Sequence, residues 1–185
     1  MTANHVVEFY DADEHDKLRI RLPESDQEFE GEILEQDDFK DLALISVLGM
    51  PDGYPALRFS RETTLPLETD AVLVAYYQPE NLAGSKNSIP KKPGACPGKI
   101  VGPPIRDTNQ VDWTERIRHD CACMSGTSGG PVITNGRVIG VNVCGDVQTG
   151  QAASFVTVEA VVKVWAGYSE EEDGDLTVED LFNRY

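Results

Sequence analysis

Apolar and polar residues alternate along short segments through most of the chain, and a period of two predicts β-strands. The alternation is cleanest in Lys17–Leu22 and Phe29–Glu35. Further strands are expected in other short segments that are apolar or rich in β-branched residues: Leu42–Leu48, Val72–Tyr77, Lys99–Val101, Arg116–Ala122 and Arg137–Val143. The pattern therefore predicts an all-β protein.

Two segments predict more than an isolated strand. Val132–Ile139 contains Asn135-Gly136 between two apolar runs, and Asn-Gly favours the type I′ turn that joins the strands of a hairpin. Near the end of the chain, Val158–Tyr168 carries apolar residues at helical spacing, at positions 158, 161, 162 and 165. The sequence thus predicts one β-hairpin and a single helix.

A stretch rich in Gly, Pro, Ser and Lys, Asn81–Pro104, is typical of a long connection between two halves. We expect an N-terminal unit over residues 1–78, a connecting segment over 79–97, and a C-terminal unit that includes the helix over 98–168. Residues 169–185 contain a run of Asp and Glu and are expected to form an acidic tail. The 185 residues suffice for one domain, or for two small lobes packed together.

Charge narrows the range of partners. Asp and Glu number 32 against 16 Lys and Arg, which gives a formal net charge of −16. Phosphate contacts need clustered basic residues, so neither nucleic acid nor an anionic membrane is an expected partner. No apolar run approaches the roughly 18 residues that span a bilayer. The first residues lack the features of a secretory signal, which favours a cytoplasmic location, and no motif for a nucleotide or organic cofactor is visible.

Gly126–Pro131, which reads Gly-Thr-Ser-Gly-Gly-Pro, carries the clearest chemical signal. Glycines on both sides of Ser128 permit a tight turn whose backbone N–H groups point at the group that the hydroxyl attacks. A serine becomes a nucleophile only when a base takes its proton and hydrogen-bond donors hold the resulting oxyanion. Ser128 is therefore a candidate nucleophile, and it needs a histidine and a carboxylate nearby.

The chain has three histidines, and one of them is a candidate for that base. His15 lies in an acidic, polar stretch that suits an exposed loop. His119 lies on a predicted strand, where a structural role is expected. His5 lies in a turn of small residues that leads into an apolar pair, and we take it as the candidate base.

A carboxylate is needed to hold the imidazole in the right tautomer. Three aspartates, Asp37, Asp38 and Asp41, lie close together in the sequence. Only Asp41 directly precedes an apolar strand that would partly bury it, and we prefer it for this reason. The order His, Asp, Ser excludes an α/β-hydrolase, in which the acid and the histidine follow the serine.

In these segments the chain resembles the trypsin-like (chymotrypsin-fold) serine peptidases, and more closely their HtrA/Deg-type branch. The resemblance is carried by the segments around the three residues and by the strand after the serine: Thr2–Val7, Asp41–Leu44, Gly126–Pro131 and Gly136–Asn142. It implies two antiparallel β-barrels with the active site in the cleft between them. The implied function is that of a serine endopeptidase, whose substrate is a peptide or a protein.

The resemblance also implies a role for each residue. Ser128 would attack the scissile carbonyl, His5 would act as general base and then general acid, and Asp41 would orient it. The backbone N–H groups of Gly126 and Ser128 would form the oxyanion hole. The residues expected to bind the substrate form two walls, Ala122 and Cys123 on one side and Val143, Cys144 and Gly145 on the other, where the backbone would pair with the substrate as an added strand. Ala122 occupies the position where trypsin-type enzymes place a carboxylate, which would favour apolar residues before the cleaved bond.

Only four residues precede His5, so the N-terminal barrel is expected to lack its first strands. An open barrel has exposed edges and would hold His5 poorly. Two functions therefore remain open: an active serine endopeptidase, and a catalytically impaired protease-like fold that binds a peptide or a protein.

Four cysteines, Cys96, Cys121, Cys123 and Cys144, are compatible with more than one state. Reduced, buried thiols are expected for an intracellular chain. A disulfide from Cys144 to Cys121 or Cys123 would suit an exported protein. A zinc site of three cysteines and His119, as some viral chymotrypsin-fold proteases have, does not match the spacing of tetrahedral sites, so no metal is expected.

Overall fold

The computed structural model describes residues 1–8, 10, 17–23, 26–51, 53–62, 65–77, 92–102, 116–145, 153–157, 161–162 and 164–167. The strands in this part of the chain form a three-stranded sheet and a closed barrel. The expected all-β class is confirmed. The expectations for His15, for residues 79–91 of the connecting segment and for the acidic tail lie outside the described residues.

The N-terminal group of strands is an antiparallel sheet. Its strands are β1 (Leu18–Arg21), β2 (Glu28–Asp37) and β3 (Leu42–Leu48), with β2 in the middle. Along β2, Phe29 and Gly31 are buried and the residues between and beside them are exposed, as the alternation in the sequence predicts. A turn of 3-10 helix, Asn4–Val6, precedes the sheet, and Thr2 pairs with Ala43 of β3. The first residues of the chain are thus fixed to the start of β3.

The C-terminal group of strands closes into an antiparallel barrel. Its strands are β4 (Asp70–Ala75), β5 (Gly94–Gly102), β6 (Arg116–His119), β7 (Pro131–Thr134), β8 (Arg137–Gly145) and β9 (Ala153–Thr157). They are hydrogen-bonded in the order β4-β5-β6-β9-β8-β7. Strands β7 and β8 form the predicted hairpin, and its turn residues Asn135 and Gly136 have φ angles of 48° and 74°. Both angles are the positive values that a type I′ turn requires.

Two clusters of buried side chains hold the molecule together. The first, the barrel core, lies among the strands of the barrel and consists of Ala71, Leu73, Ala75, Ile100, Ile117, Cys121, Val132 and Ile139. The second, the junction cluster, consists of Ala3, Leu42, Val141, Val143, Val161 and Val164. Residues 161–162 and 164–167 are helical, which confirms the predicted helix. Because the junction cluster draws on the first residues, β3, β8 and this helix, it joins the N-terminal group to the barrel.

The division into units is corrected by the sheet topology. Strand β4 was expected in the N-terminal unit, yet it pairs with β5 and β7 inside the barrel, and its Leu73 is fully buried in the barrel core. The first part of the stretch rich in Gly, Pro, Ser and Lys therefore lies between two neighbouring strands of one barrel, β4 and β5, rather than between two units. Residues 94–97, assigned to the connecting segment, belong to β5.

Most predicted strands are present, and one strand was missed. The segment Leu42–Leu48 is strand β3 with the bounds expected, and the other expected segments overlap β1, β2, β4, β5, β6 and β8. Strand β9 was missed because it is only five residues long and shows no regular alternation of apolar and polar residues. It pairs with β6 and β8 on its two sides and so completes the barrel.

Candidate active site

His5 and Asp41 are in direct contact. The Nδ1 atom of His5 lies 2.7 Å from Oδ2 of Asp41, and the backbone N–H of His5 donates to Oδ1 of the same carboxylate at 2.8 Å. An ionised carboxylate only accepts hydrogen bonds, so Nδ1 carries the ring proton in this contact. The Nε2 atom then keeps its lone pair and is available as a base. The side chain of His5 is 41% exposed and that of Asp41 is 19% exposed, so the ring of His5 is accessible from the surface.

Backbone pairing with β3 brings these two residues together. The N–H of Asn4 donates to the carbonyl of Asp41 at 3.1 Å, and Thr2 and Ala43 exchange two hydrogen bonds at 2.9 and 3.0 Å. Asp41 itself lies in the tight turn before β3 with a φ angle of 55°, a left-handed conformation that Asp tolerates better than most residues. The turn and the pairing together direct the carboxylate at His5.

The two neighbouring aspartates contact other residues. Asp38 accepts a hydrogen bond from the side-chain amide of Asn4 at 2.7 Å, and Asp37 forms an ion pair with Lys40. The buried side chain of Asn4 also accepts a hydrogen bond from Gln36, and Asn4 immediately precedes His5. Asn4 was not singled out from the sequence, since an isolated Asn in a turn of small residues gives no signal of such long-range contacts.

The loop that carries Ser128 is a compact turn. The N–H of Thr127 donates to the carbonyl of Met124, and the N–H of Gly130 donates to the carbonyl of Thr127, both at 3.1 Å. The N–H of Gly129 donates to the carbonyl of Asn142 in β8 at 2.7 Å. Among the hydrogen bonds between described residues, none uses the N–H of Gly126 or Ser128. These two donors are the ones expected to form the oxyanion hole.

The Ser128 loop packs against the segment that leads to His5. A Cβ atom at Gly129 would overlap Oγ1 of Thr2 and would lie 3.2 Å from the backbone nitrogen of Ala3. Only glycine fits there, and its φ angle of 81° is also one that other residues rarely adopt. The segments that carry Ser128 and His5 are therefore in contact.

His119 lies in the barrel, away from the surface. Its side chain is fully buried, and its Nε2 lies 3.2 Å from the side-chain oxygen of Asn142. Burial lowers the pKa of His119 below its usual range, and the hydrogen bond to Asn142 opposes that shift in part. The structural role expected of His119 agrees with this position.

The residues expected to bind the substrate fall in two places. On one side, Ala122 is exposed, its N–H donates to the sulfur of Cys96 at 3.2 Å, and Cys123 is half-buried. On the other side, Val143, Cys144 and Gly145 lie in β8 and pair with β9. The side chain of Val143 is buried in the junction cluster, so only its backbone is open to a substrate. The side chain of Cys144 and the neighbouring Asp146 lie outside the described residues.

Cys96 and Cys121 are free thiols. Burial raises the pKa of the Cys121 thiol, which disfavours its reactive thiolate form. Across the described ranges, no group of three or more His, Cys, Asp or Glu side chains could hold a metal ion. Those ranges also contain no helix that is both long and apolar enough to cross a membrane.

Comparison with known proteins identifies the family of the chain. Residues 1–141 match the trypsin-like peptidase domain. The chain belongs to the family of trypsin-like peptidases, and HtrA-type proteases are among the solved structures whose fold is similar to it. No curated protein matches the chain significantly in sequence.

Two solved structures illustrate the likeness. The HtrA-type protease AlgW with a decapeptide has a TM-score of 0.73 at 18% identity, covering 91% of this chain and 47% of AlgW. An inactive mutant of Rv3671c from M. tuberculosis H37Rv has a TM-score of 0.66 at 21% identity, covering 92% of this chain and 77% of that one. At such identities the likeness concerns the fold. The chain spans about half the length of the AlgW structures that it matches.

Proposed function

We propose that this chain is a serine endopeptidase in which Ser128 is the nucleophile, His5 the general base and Asp41 the residue that orients it. The observation that carries the proposal is the pair of contacts from Asp41 to the ring and the backbone of His5, 2.7 and 2.8 Å long. This pair lies on a segment that packs against the Ser128 loop through Gly129. Membership of the trypsin-like peptidase family supports the same reaction.

In each half of the reaction, His5 takes a proton from the attacking group and then gives a proton to the leaving group. The Nε2 atom of His5 takes the proton of the Ser128 hydroxyl as its oxygen attacks the scissile carbonyl. His5 then gives this proton to the leaving amine, and an acyl-enzyme remains on Ser128. Water then attacks the acyl carbonyl as it loses a proton to His5, and His5 returns a proton to the Ser128 oxygen when its bond to the acyl group breaks and the carboxylic acid leaves. Asp41 stabilises the imidazolium that forms in each half-reaction.

The oxyanion hole consists of the N–H groups of Gly126 and Ser128. Thr127, Gly129 and Gly130 use their N–H groups inside the fold, and these hydrogen bonds shape the loop around the other two donors. Donors that are already oriented stabilise the developing charge without reorganisation, and the loss of one costs about 10²–10³ in kcat.

The substrate is proposed to bind along the edge of β8. The pairing of β7 with β8 ends at Val141, whereas the pairing of β9 with β8 continues to Gly145. In the described part of the chain, residues 143–145 therefore have one edge that no strand covers, and an extended peptide could pair with it. The decapeptide in the AlgW structure is consistent with a peptide ligand for this fold.

Labelling with a fluorophosphonate probe tests the proposal, because the probe reacts with an activated serine. We expect the wild-type chain to be labelled and the Ser128→Ala variant to stay unlabelled. A matched control is Ser60→Ala, since Ser60 is buried on the segment that pairs with β8 and is not part of the proposed site. Absence of labelling in folded wild-type protein would favour the impaired, peptide-binding alternative.

The residue before the cleaved bond is proposed to be apolar, because Ala122 places no charge on the wall where it lies. A library of peptides that differ only at this position measures the preference directly. We expect kcat/KM to be highest for apolar residues, and cleavage mainly after Lys or Arg would contradict this assignment.

A further inference from the structure

One residue of β8, Asn142, contacts the Ser128 loop on both sides of Ser128, with its side chain on one side and its backbone on the other. Its Nδ2 donates to the carbonyl of Thr127 at 3.1 Å and lies 3.3 Å from the Thr127 hydroxyl. Its backbone carbonyl accepts from the N–H of Gly129 at 2.7 Å, and its backbone N–H donates to the carbonyl of Gly130 at 2.9 Å. The residue before Ser128 and the two after it are thus all bound to Asn142.

We propose that Asn142 is a positioning residue for catalysis, which acts through Thr127 to set the direction of the Ser128 N–H in the oxyanion hole. This inference rests on the proposed function of Ser128. Thr127 directly precedes Ser128, and a rotation of the peptide unit between them would turn the Ser128 N–H away from the oxyanion. The amide of Asn142 resists such a rotation because it binds the Thr127 carbonyl, which belongs to the same peptide unit as the Ser128 N–H.

Contacts on the barrel side fix the orientation of the Asn142 side-chain amide. A carbonyl only accepts hydrogen bonds, so the amide nitrogen must face Thr127 and the amide oxygen must face the barrel. There Oδ1 lies 3.2 Å from Nε2 of His119 and 3.6 Å from Sγ of Cys123. His119 therefore donates to Asn142, and this contact opposes a flip of the amide that would direct an oxygen at the Thr127 carbonyl.

Because these residues are buried, the loss of one hydrogen-bond partner is expected to disturb the others. Asn142 is 1% exposed, Thr127 2% and His119 0%, so water does not replace a lost partner easily. A polar group left without a partner in such a place is costly, and the loop would move to restore its hydrogen bonds. The backbone bonds from Asn142 to Gly129 and Gly130 would persist, so the effect should centre on Thr127 and its neighbours.

The test is the Asn142→Asp variant, which keeps the size of the side chain and an oxygen that faces His119 but directs a second oxygen at Thr127. Active sites are first counted by titration with a fluorophosphonate, and kcat is then expressed per titrated site. We expect a loss in kcat of the order of 10²-fold, as for removal of an oxyanion-hole donor, with KM little changed. A loss of titratable sites at unchanged kcat per site would indicate a structural role only and would overturn the inference.

A matched control separates positioning from general damage to the barrel. Thr134→Val removes another buried hydrogen bond, from the Thr134 hydroxyl to the carbonyl of Asp70 at 2.8 Å, at a site without contact to the Ser128 loop in the described structure. We expect this variant to keep the wild-type kcat per site. An equal loss in Thr134→Val and Asn142→Asp would contradict a specific role for Asn142.

Two further measurements test the inference if the Asn142→Asp variant does not fold or if the wild-type chain has no activated serine. If Asn142→Asp does not fold, Asn142→Leu removes the amide donor to the Thr127 carbonyl without adding a charge, and an unchanged kcat per site would overturn the proposal. If the wild type shows no labelling, the proposed function is wrong. Amide hydrogen exchange then tests only whether Asn142 holds the Ser128 loop in its conformation. Faster exchange of the Gly130 amide, which bonds the Thr127 carbonyl, in Asn142→Asp than in Thr134→Val would then support the structural half of the inference, and equal exchange would refute it.

Discussion

At the scale of single residues, Asp41 combines an unusual backbone conformation with a specific chemical contact. Its φ angle of 55° places it in the left-handed region, and both its carboxylate oxygens bind His5. Asn adopts this conformation as readily as Asp does, so the charge at this position can be removed while the turn is kept. This makes Asp41 a favourable site for separating chemistry from folding.

The Asp41→Asn variant should fold with near wild-type stability and lose most of its activity. An amide nitrogen facing Nδ1 of His5 would favour the wrong tautomer, a change that lowers kcat by about 10⁴-fold in triads of this kind. The measurement is kcat per titrated site together with urea unfolding. Asp38→Asn is the control, because Asp38 contacts Asn4 rather than His5 and should retain activity. Equal activity in the two variants would remove Asp41 from the mechanism.

His119 predicts how stability depends on pH. Burial lowers its pKa in the folded state, below the ordinary value of about 6.5 that applies to the unfolded chain. Below about pH 6.5 the unfolded state therefore binds more protons at this residue, and the free energy of unfolding should fall as pH drops through that window towards the lower, folded-state pKa. Nearby Asp120 opposes the shift and narrows the window.

Urea unfolding at pH 7.5 and 5.5 tests this expectation. The carboxylates of the chain contribute equally to the pH dependence of the unfolding free energy in wild type and in His119→Gln. The comparison of these two proteins therefore isolates the contribution of His119. We expect the wild type to lose more unfolding free energy between the two pH values than the variant does. The same loss in both proteins would mean that His119 does not titrate differently in the folded and unfolded states.

At the scale of elements, the contact between the Ser128 loop and the first residues depends on Gly129. A side chain there would meet Thr2 and Ala3, and the φ angle of 81° would be strained as well. Gly136, in the β7–β8 turn, has a similar φ angle of 74° but nothing within 4 Å of an added Cβ. At both glycines another residue would have a strained backbone, but only at Gly129 would an added side chain also clash with its neighbours.

Replacement of each glycine by alanine separates these two effects. Gly136→Ala should cost about 1–2 kcal/mol of unfolding free energy, from backbone strain alone, and should keep its activity. Gly129→Ala should cost more and should also lower labelling by the probe, because the loop must move away from the segment that leads to His5. Unfolding in urea and the labelling rate are the two measurements. Equal labelling in both variants would show that this contact does not position Ser128.

The same scale shows what the sequence could predict. Strand β3 and the β7–β8 hairpin follow from local signals, namely an apolar run and an Asn-Gly turn. Strand β9 gave no such signal, because its position depends on pairing with β6 and β8, which are distant in sequence. Strand β4 was predicted as a strand but placed in the wrong unit, since composition identifies a loop without showing which strands it connects.

The candidate site shows the same limit. His5, Asp41 and Ser128 were selected from local motifs and their order along the chain. Asn4 and Asn142 were not selected, because their side-chain hydrogen bonds join residues that are between 15 and 34 positions apart. Hydrogen bonds of this kind depend on the tertiary fold, and a single sequence carries no local pattern for them.

At the scale of the whole molecule, the junction cluster connects the part that carries His5 and Asp41 with the barrel that carries Ser128. Ala3 lies two residues before His5, and Leu42 directly follows Asp41, so both are close to the candidate site along the chain. On the other side, Val141 and Val143 flank Asn142 in β8. The relative position of His5 and Ser128 is therefore set by apolar packing as well as by hydrogen bonds.

Two leucines of equal burial, each 0% exposed, test this role of the junction cluster. Leu42→Ala and Leu73→Ala should each lower the unfolding free energy by about 2–5 kcal/mol, because both leave a cavity. Leu73 belongs to the barrel core, whereas Leu42 packs between the two groups of strands. Under conditions where both variants stay folded, Leu42→Ala should therefore reduce kcat per titrated site, and Leu73→Ala should not. If both variants kept the wild-type kcat per site, or lost it equally, packing at the junction would not be what aligns His5 with Ser128.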